Sequence, residues 1–572
     1  MRSSSPSPSP SLPSTEQAPA TRHVKWLGPM PARRVVLWLS LYLLAAANWP
    51  LWLNLASIGR APSVYLFSIL GVGWLVFMGT IAVLVLTAWS RWVKPLWIVI
   101  VLLAAVVQHY MFAYRMVMDP SMVANVLQTD PNEARDLVSA GLIADVAWVW
   151  LPAAVWLWFV RILPEPWWRK AWRNLALCVL AILLAVVGLL ATAKQVMPLM
   201  RANPHLRYMM NPIATIYSTG TVALRPMFQR RREFVKISGD AVLGASYAGR
   251  QKPPLLVLVV GETARGDHFS LNGYSRDTNP ALAARDVVSF RHVRSCGTNT
   301  IASVPCMFSH LGRKDFEARR NDYENLLDVL QAAGLAVLWL DNQAGCKGVC
   351  ARVPSAQTND PVQIARHPGI CNADECLDAI LLEGLDARIQ ALPAPRRAKG
   401  VVVVMHQMGS HGPAYYRRSS EAIKRFKPEC RITNLAECSH MELVNAYDNT
   451  IAYTDHMLGG VVDWLKSRSE DFDGGMFYMS DHGESLGEYG LYLHGVPYDF
   501  APEAQKNVAF VTWLNGGLGK RSRVADECLR TKVDVPLTHD HLYHTVLGVM
   551  DVESKTYLQG LDAFSTCRGA GP

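Results

Sequence analysis

Residues 254–265 read PLLVLVVGETAR, and the class of the fold turns on them. Six apolar residues, half of them valine, stand between a proline and a glycine without any polar alternation. A strand exposed on one face alternates, whereas a strand covered on both faces reads as one continuous apolar run. The same pattern recurs in AVLWLD (336–341), GVVVVMH (400–406), GMFYMS (475–480) and VAFVTWL (508–514). Helical periodicity separates several of these runs, most clearly over Met441–Lys466. Buried strands alternating with helices predict an α/β domain: a doubly wound, largely parallel sheet with helices on both faces, occupying residues 251–572.

In such sheets ligands bind beyond the carboxyl ends of the strands, and the polar clusters of this chain fall there. The first run ends in Glu262. The run at 400–406 ends in His406, with His411 just beyond, and the run at 475–480 leads into Asp481 and His482, with His494 following in YLHG. A carboxylate, an Asp-His pair and two histidines in glycine-flanked loops form a nitrogen and oxygen donor set that suits zinc. SCGTNTIASVPC (295–306) is a hydroxyl-rich loop bracketed by cysteines, and it offers Thr298, Thr300 and Ser303 as nucleophiles that a zinc ion would activate. Residue chemistry alone does not choose among the three.

The first third of the chain differs in kind. Residues 1–30 open on a Ser-Pro repeat that builds no core and are expected to be disordered. Residues 31–193 hold five segments that meet the roughly 20 apolar residues a membrane span needs: Val35–Ala56, Val64–Trp89, Pro95–Tyr114, Leu142–Val160 and Leu175–Ala193. Arg33 and Arg34 precede the first; Arg91 and Lys94, then Arg161, Arg169, Lys170 and Arg173, fill the second and fourth loops. The third loop carries Asp119, Asp130, Glu133 and Asp136 against Arg135. The positive-inside rule makes the N-terminus cytoplasmic and the chain beyond residue 195 periplasmic, in a bacterial inner membrane. Residues 194–250 form a connector with amphipathic stretches such as Met209–Ser218 and a basic run at Arg230–Arg232. The net charge of +9 thus sits largely beside hydrophobic spans, which argues against nucleic acid and for a lipid surface.

Of the 11 cysteines, Cys178 lies in an apolar run. The other ten follow residue 290: Cys296 and Cys306, Cys346 and Cys350, Cys371 and Cys376, Cys430 and Cys438 are near neighbours, with Cys528 and Cys567 as a distant pair. An even number without paired metal spacing favours disulfides and an oxidising compartment, in agreement with the topology; the connectivity stays open.

GETAR (261–265), SLNGYSRDTNP (270–280), SCGTNTIASVPCMFS (295–309), HQMGSHGPAYY (406–416), NAYDNT (445–450) and SDHGESLGEYGLYLHG (480–495) resemble the lipid A phosphoethanolamine transferases. That family includes the mobile colistin-resistance enzymes and has the alkaline-phosphatase-like fold; the resemblance extends through the membrane domain. It implies that Thr300 is the nucleophile, that Glu262, Asp481 and His482, with Thr300, hold zinc, and that His411 and His494 bind substrate phosphate or a second zinc. Lys347 resembles a substrate-positioning lysine, and Asn125, Thr129 and Glu133 resemble residues that approach the donor headgroup. The cysteine neighbours resemble family disulfides, the Cys346–Cys350 clip being present in only some members. The chain departs from the mobile-resistance members in having Gln343 and Ala344 where they carry asparagine and serine, and Ser410 where an asparagine stands beside His411. The implied reaction moves phosphoethanolamine from phosphatidylethanolamine to lipid A by a monomer, with a periplasmic glucan or protein as the alternative acceptor and polymyxin resistance as the consequence.

Overall fold

The computed structural model describes residues 28–58, 62–127, 134–135, 137–228, 232–249, 252–372 and 375–569. The Ser-Pro repeat, Thr129, Glu133, Arg230 and Arg231 lie outside the described residues. The N-terminal part is helical: α1 (Ala32–Ala46), α2 (Trp49–Ser57), α3 (Pro62–Thr87), α4 (Lys94–Ala113), α5 (Pro120–Leu127), α6 (Ala140–Phe159), α7 (Trp167–Ala191), α8 (Ala193–Ala202) and α9 (Ile213–Phe228). Among the described residues four helices are long and apolar enough to cross a membrane, five if the α1–α2 pair, bent by 47°, is counted as one span. The first expected span therefore breaks in two. Pro50 has no amide proton to give and stands in the first turn of α2, where that loss costs nothing. Trp148, Trp158, Trp167 and Trp172 lie exposed on the bundle, as a surface facing lipid and its headgroup zone requires.

Seven strands form one sheet: β1 (Pro254–Gly261), β2 (Val288–Phe290), β3 (Ala336–Asp341), β4 (Ser355–Gln357), β5 (Val401–His406), β6 (Asp473–Ser480) and β7 (Phe510–Leu514), in the order β2-β7-β6-β1-β5-β3-β4. The central five-strand block β6-β1-β5-β3-β4 is parallel, and β7 and β2 close one edge antiparallel. Every residue of β1, β3, β5 and β6 is buried. Side chains alternate along β1 between two cores. Leu256, Leu258 and Val260 pack with Phe308 and Tyr543 on one face, whereas Leu255, Val257 and Val259 pack with Tyr447 and Leu458 on the other. The first face is covered by α10 (Thr300–Met307) and α12 (Asp540–Val549), the second by α11 (His440–Ser467), whose start is fixed by a reciprocal Ser439–Glu442 capping box. Five disulfides join Cys296–Cys306, Cys346–Cys350, Cys371–Cys376, Cys430–Cys438 and Cys528–Cys567, and Cys178 is free and buried.

The two parts meet beside the strand ends. The Tyr114 hydroxyl, one residue past α4, donates to the Thr433 carbonyl (2.8 Å), and the Tyr492 amide donates to the Tyr114 carbonyl (3.3 Å). Met122 of α5 packs so close to Gly495 that a β-carbon there would lie 2.5 Å from the methionine Cε.

Candidate active site and metal centre

The parallel register pairs Gly261 of β1 with Ser480 of β6, so the next residues, Glu262 and Asp481, leave the sheet side by side. The Asp481 amide donates to the Gly261 carbonyl (2.9 Å). Thr263 then turns the chain through the left-handed region (φ 53°), a conformation that strains a β-branched residue. The Tyr447 hydroxyl of α11 brackets that turn, donating to the Thr263 carbonyl (2.6 Å) and accepting from the Arg265 amide (3.0 Å). Gly409 closes the other side. It lies at φ +54° with its Cα against Glu262, where any β-carbon would come within 2.7 Å of the Glu262 carbonyl oxygen.

Each of the three side chains has one polar atom tied to the protein and one released. Asp481 Oδ1 accepts from the amides of Thr263 (3.2 Å) and His482 (2.7 Å). Glu262 Oε2 accepts from the Thr300 hydroxyl (3.1 Å) and the Gln343 amide nitrogen (3.0 Å). His482 Nδ1–H donates to the Gly483 carbonyl (2.9 Å), which turns Nε2 inward. The remaining oxygens, Glu262 Oε1 and Asp481 Oδ2, are buried without a hydrogen-bond partner, and each lies 3.3 Å from His482 Nε2. All three residues are fully buried. Orphaned buried carboxylate oxygens are costly, and two of them converging with an imidazole nitrogen fit a cation with borderline hardness such as zinc.

The charge balance agrees. Burial opposes ionisation of Glu262, yet His482, with His411 and His494 behind it, holds this carboxyl well below the usual carboxylate range. Burial and the neighbouring Glu262 charge push Asp481 up to about 7. Burial would lower His482, but the two carboxylates raise it to about 10. Two acids share one imidazolium in the protein alone, and a dication would take the place of that proton.

Distance separates the three candidate hydroxyls of the loop at 295–306. Thr300, the first residue of α10 behind the N-cap Asn299, donates to Glu262 and lies 3.5 Å from His482 Nε2. Thr298 instead donates to the Val496 carbonyl (2.6 Å), and the Ser303 hydroxyl accepts from the Gly297 amide (2.9 Å). Of the three hydroxyls, only that of Thr300 contacts the candidate ligands.

The imidazoles extend the site outward, with ring centroids 4.3 Å apart for His482–His494 and 5.2 Å for His494–His411. His406 does not join the ligand set; its Nδ1 donates to Asp341 Oδ2 (3.2 Å) instead. Lys347 lies on the loop after β3 and donates to the Ala344 carbonyl (3.0 Å) rather than to any of the ligands. Asn125 is half-buried on α5, one turn from Met122 and so on the helix that abuts the His494 loop. Two residues that sequence reasoning passed over belong here, Glu484 and His539, together with Gln343, which it named only as a departure from the family pattern. Glu484 is fully buried beside His494 (3.3 Å), and burial pushes it up to about 8; its place in DHGES, two residues past His482, was the available signal. Gln343 contacts Glu262 directly. His539 accepts from the Cys296 amide (3.1 Å) and donates to the Ser480 carbonyl (2.9 Å), joining the loop that carries Thr300 to the strand that leads into Asp481; no local pattern marks it.

A bundle of membrane-length helices, followed by a sheet that presents a hydroxyl beside a two-carboxylate, one-imidazole cluster, defines a membrane-anchored protein of the alkaline-phosphatase-like class. A family profile described as Sulfatase matches residues 254–552, and one described as Phosphoethanolamine transferase EptA/EptB matches residues 76–227. Phosphoethanolamine transferase EptA of Salmonella typhimurium is 38% identical over 479 residues, which are 82% of this chain and 85% of the relative. Phosphatidylethanolamine transferase Mcr-1 of Escherichia coli is 38% identical over 474 residues, with the same two coverages. The solved integral membrane lipooligosaccharide phosphoethanolamine transferase A of Neisseria meningitidis superposes with a TM-score of 0.87 at 32% identity, covering 95% of this chain and all of that one. The chain belongs to the phosphoethanolamine transferase family.

Proposed function

We propose that this protein transfers phosphoethanolamine from phosphatidylethanolamine to a lipid A phosphate at the periplasmic face of the inner membrane, through a covalent adduct on Thr300. The observation that carries the reading is the Thr300 hydroxyl, held 3.1 Å from Glu262 Oε2 among donor atoms that converge without partners. Glu262, Asp481 and His482, with the Thr300 oxygen, would hold zinc, which supplies a lowered hydroxyl pKa and neutralises charge on the phosphoryl oxygens.

The Thr300 oxygen attacks the phosphorus of the donor; its bond to diacylglycerol breaks, and diacylglycerol leaves as the alcohol with the proton that Thr300 gave up. An oxygen of a monoprotonated lipid A phosphate then attacks the adduct, and the Thr300 oxygen departs and takes up the proton that this phosphate gives up. His411 and His494 orient the phosphoryl oxygens, and Glu484 holds His494 in place. The start of α10 lies at Thr300, so its dipole favours the negative charge that gathers there. Donor and acceptor are both lipids, and this accounts for a catalytic site joined to a helix bundle through Tyr114 and Met122. Ethanolamine adds a positive charge to lipid A and weakens its attraction for cationic peptides such as polymyxin.

Lipid A from cells expressing the wild type is expected to gain a phosphoethanolamine mass increment, absent with Thr300→Ala. Equal modification by both proteins sinks the Thr300 assignment. Unmodified lipid A, together with a labelled periplasmic glucan or protein, moves the acceptor elsewhere.

A further inference from the structure

Gln343 is a single buried side chain with every polar atom committed. Its Oε1 accepts from the Ala344 amide (2.6 Å), which leaves Nε2 as the end that faces Glu262, and Nε2 donates to Glu262 Oε2 (3.0 Å). Its own amide donates to Asp341 Oδ1 (2.9 Å), and Asp341 in turn accepts from Trp339 Nε1 (2.8 Å) and from His406 Nδ1. The glutamine is thus fixed to the ends of β3 and β5 and reaches across to the end of β1.

A glutamate carboxyl has a broad, two-fold terminal torsion, so nothing intrinsic to Glu262 selects which oxygen points at the cluster. Two donors select it by holding Oε2: the Thr300 hydroxyl and the Gln343 amide. They are not equivalent through the reaction proposed above. Thr300 must give up its proton to attack, and an oxygen bonded to phosphorus no longer donates. Among the described residues Gln343 is then the one donor left on Oε2.

We propose that Gln343 is a positioning residue for the metal centre: it holds Glu262 Oε2 so that Oε1 alone is presented to the ion, and it does so in the covalent intermediate, when the Thr300 bond is gone. The inference rests on the zinc reading of the Glu262, Asp481 and His482 cluster. A glutamine that acts in this way contributes to metal affinity, whereas one that acts only by contacting the donor lipid changes the KM for that lipid and leaves zinc binding untouched.

The test uses the full chain in detergent, stripped of metal and titrated with Zn2+ against a chromogenic chelator. Gln343→Met keeps the length of the side chain and removes the donor. It is expected to weaken zinc binding by ~10–100-fold, the range found when a partner of a metal ligand is lost, while the metal-free protein melts close to the wild type. If Gln343→Met does not fold, Gln343→Asn, whose amide stops one methylene short of Glu262, carries the same expectation. Glu262→Gln runs in parallel. Wild-type affinity in Gln343→Met or Gln343→Asn with loss in Glu262→Gln overturns the role of Gln343 and spares the metal site. Wild-type affinity in Glu262→Gln as well overturns the zinc reading, and the role of Gln343 with it.

Discussion

Tyr447→Phe removes one oxygen atom 184 residues from the turn it supports, and the structure sets the size of the effect. The hydroxyl donates to the Thr263 carbonyl at 2.6 Å and accepts from the Arg265 amide at 3.0 Å, and neither backbone group has another partner among the described residues. Thr263 and Tyr447 are fully buried, so water does not replace the lost contacts. Each orphaned backbone group costs about 1–3 kcal/mol, which puts the loss at about 2–6 kcal/mol. The turn also stores about 1–3 kcal/mol of left-handed strain at Thr263, and without the clamp that strain is free to relax by moving Glu262. Two readouts follow. The unfolding transition of the catalytic domain drops by several degrees, and zinc affinity falls by ~10–100-fold. Thr263→Gly removes the strain, so Tyr447→Phe should cost less zinc affinity in that background than alone. Chelator competition and differential scanning fluorimetry on the four proteins measure both. A Tyr447→Phe protein that melts and binds zinc like the wild type would refute the reasoning, as would an equal zinc loss with and without the Thr263→Gly substitution.

His539 gives a pH signature. Burial, with the His482 charge adding, lowers it to about 4 against the Ser480 hydrogen bond, so the folded state binds fewer protons than the unfolded one. Stability is therefore fully present above about 6.5 and declines as pH falls toward 4, by about 3 kcal/mol in all. His539→Gln, which keeps a donor and an acceptor, should flatten that decline in urea midpoints measured between pH 7 and 4. Thr298→Ala loses only a bond to the Val496 carbonyl and should retain most activity, whereas Thr300→Ala should lose at least ~1000-fold in turnover, the scale seen when a nucleophile is removed. Gly409→Ala should strain both its own φ of +54° and the Glu262 carbonyl 2.7 Å away, lowering stability by about 1–3 kcal/mol and zinc affinity with it. Calorimetric zinc titration and thermal melts check both.

The legible part of this molecule is what local sequence dictates. β1, β3, β5 and β6 are continuous apolar runs because both of their faces are covered, and their residue types announce it. β2 and β4 are three-residue edge strands, VSF and SAQ, too short and too mixed to stand out from loop. The bend between α1 and α2 was hidden inside an apolar stretch that satisfies a span by length alone. Glu262, Asp481 and His482 could be named as a cluster because strand ends converge in a parallel sheet. Thr300 could not be separated from Thr298 by chemistry, since both are threonines in one loop and only the direction of each hydroxyl tells them apart. The contacts of Gln343, Tyr447 and His539 were illegible for a related reason. Each residue acts on a partner 81, 184 or 243 residues away, through contacts that no spacing rule encodes.

The covalent adduct on Thr300 is the claim on which the rest depends. The purified full chain, loaded with zinc, incubated with phosphatidylethanolamine and quenched in acid before acceptor is added, can be digested and mapped by tandem mass spectrometry. The account predicts a phosphoethanolamine increment on the peptide carrying Thr300, localised to that residue, and none in Thr300→Ala. An increment on Thr298 or Ser303, or one of undiminished yield in Thr300→Ala, would contradict it.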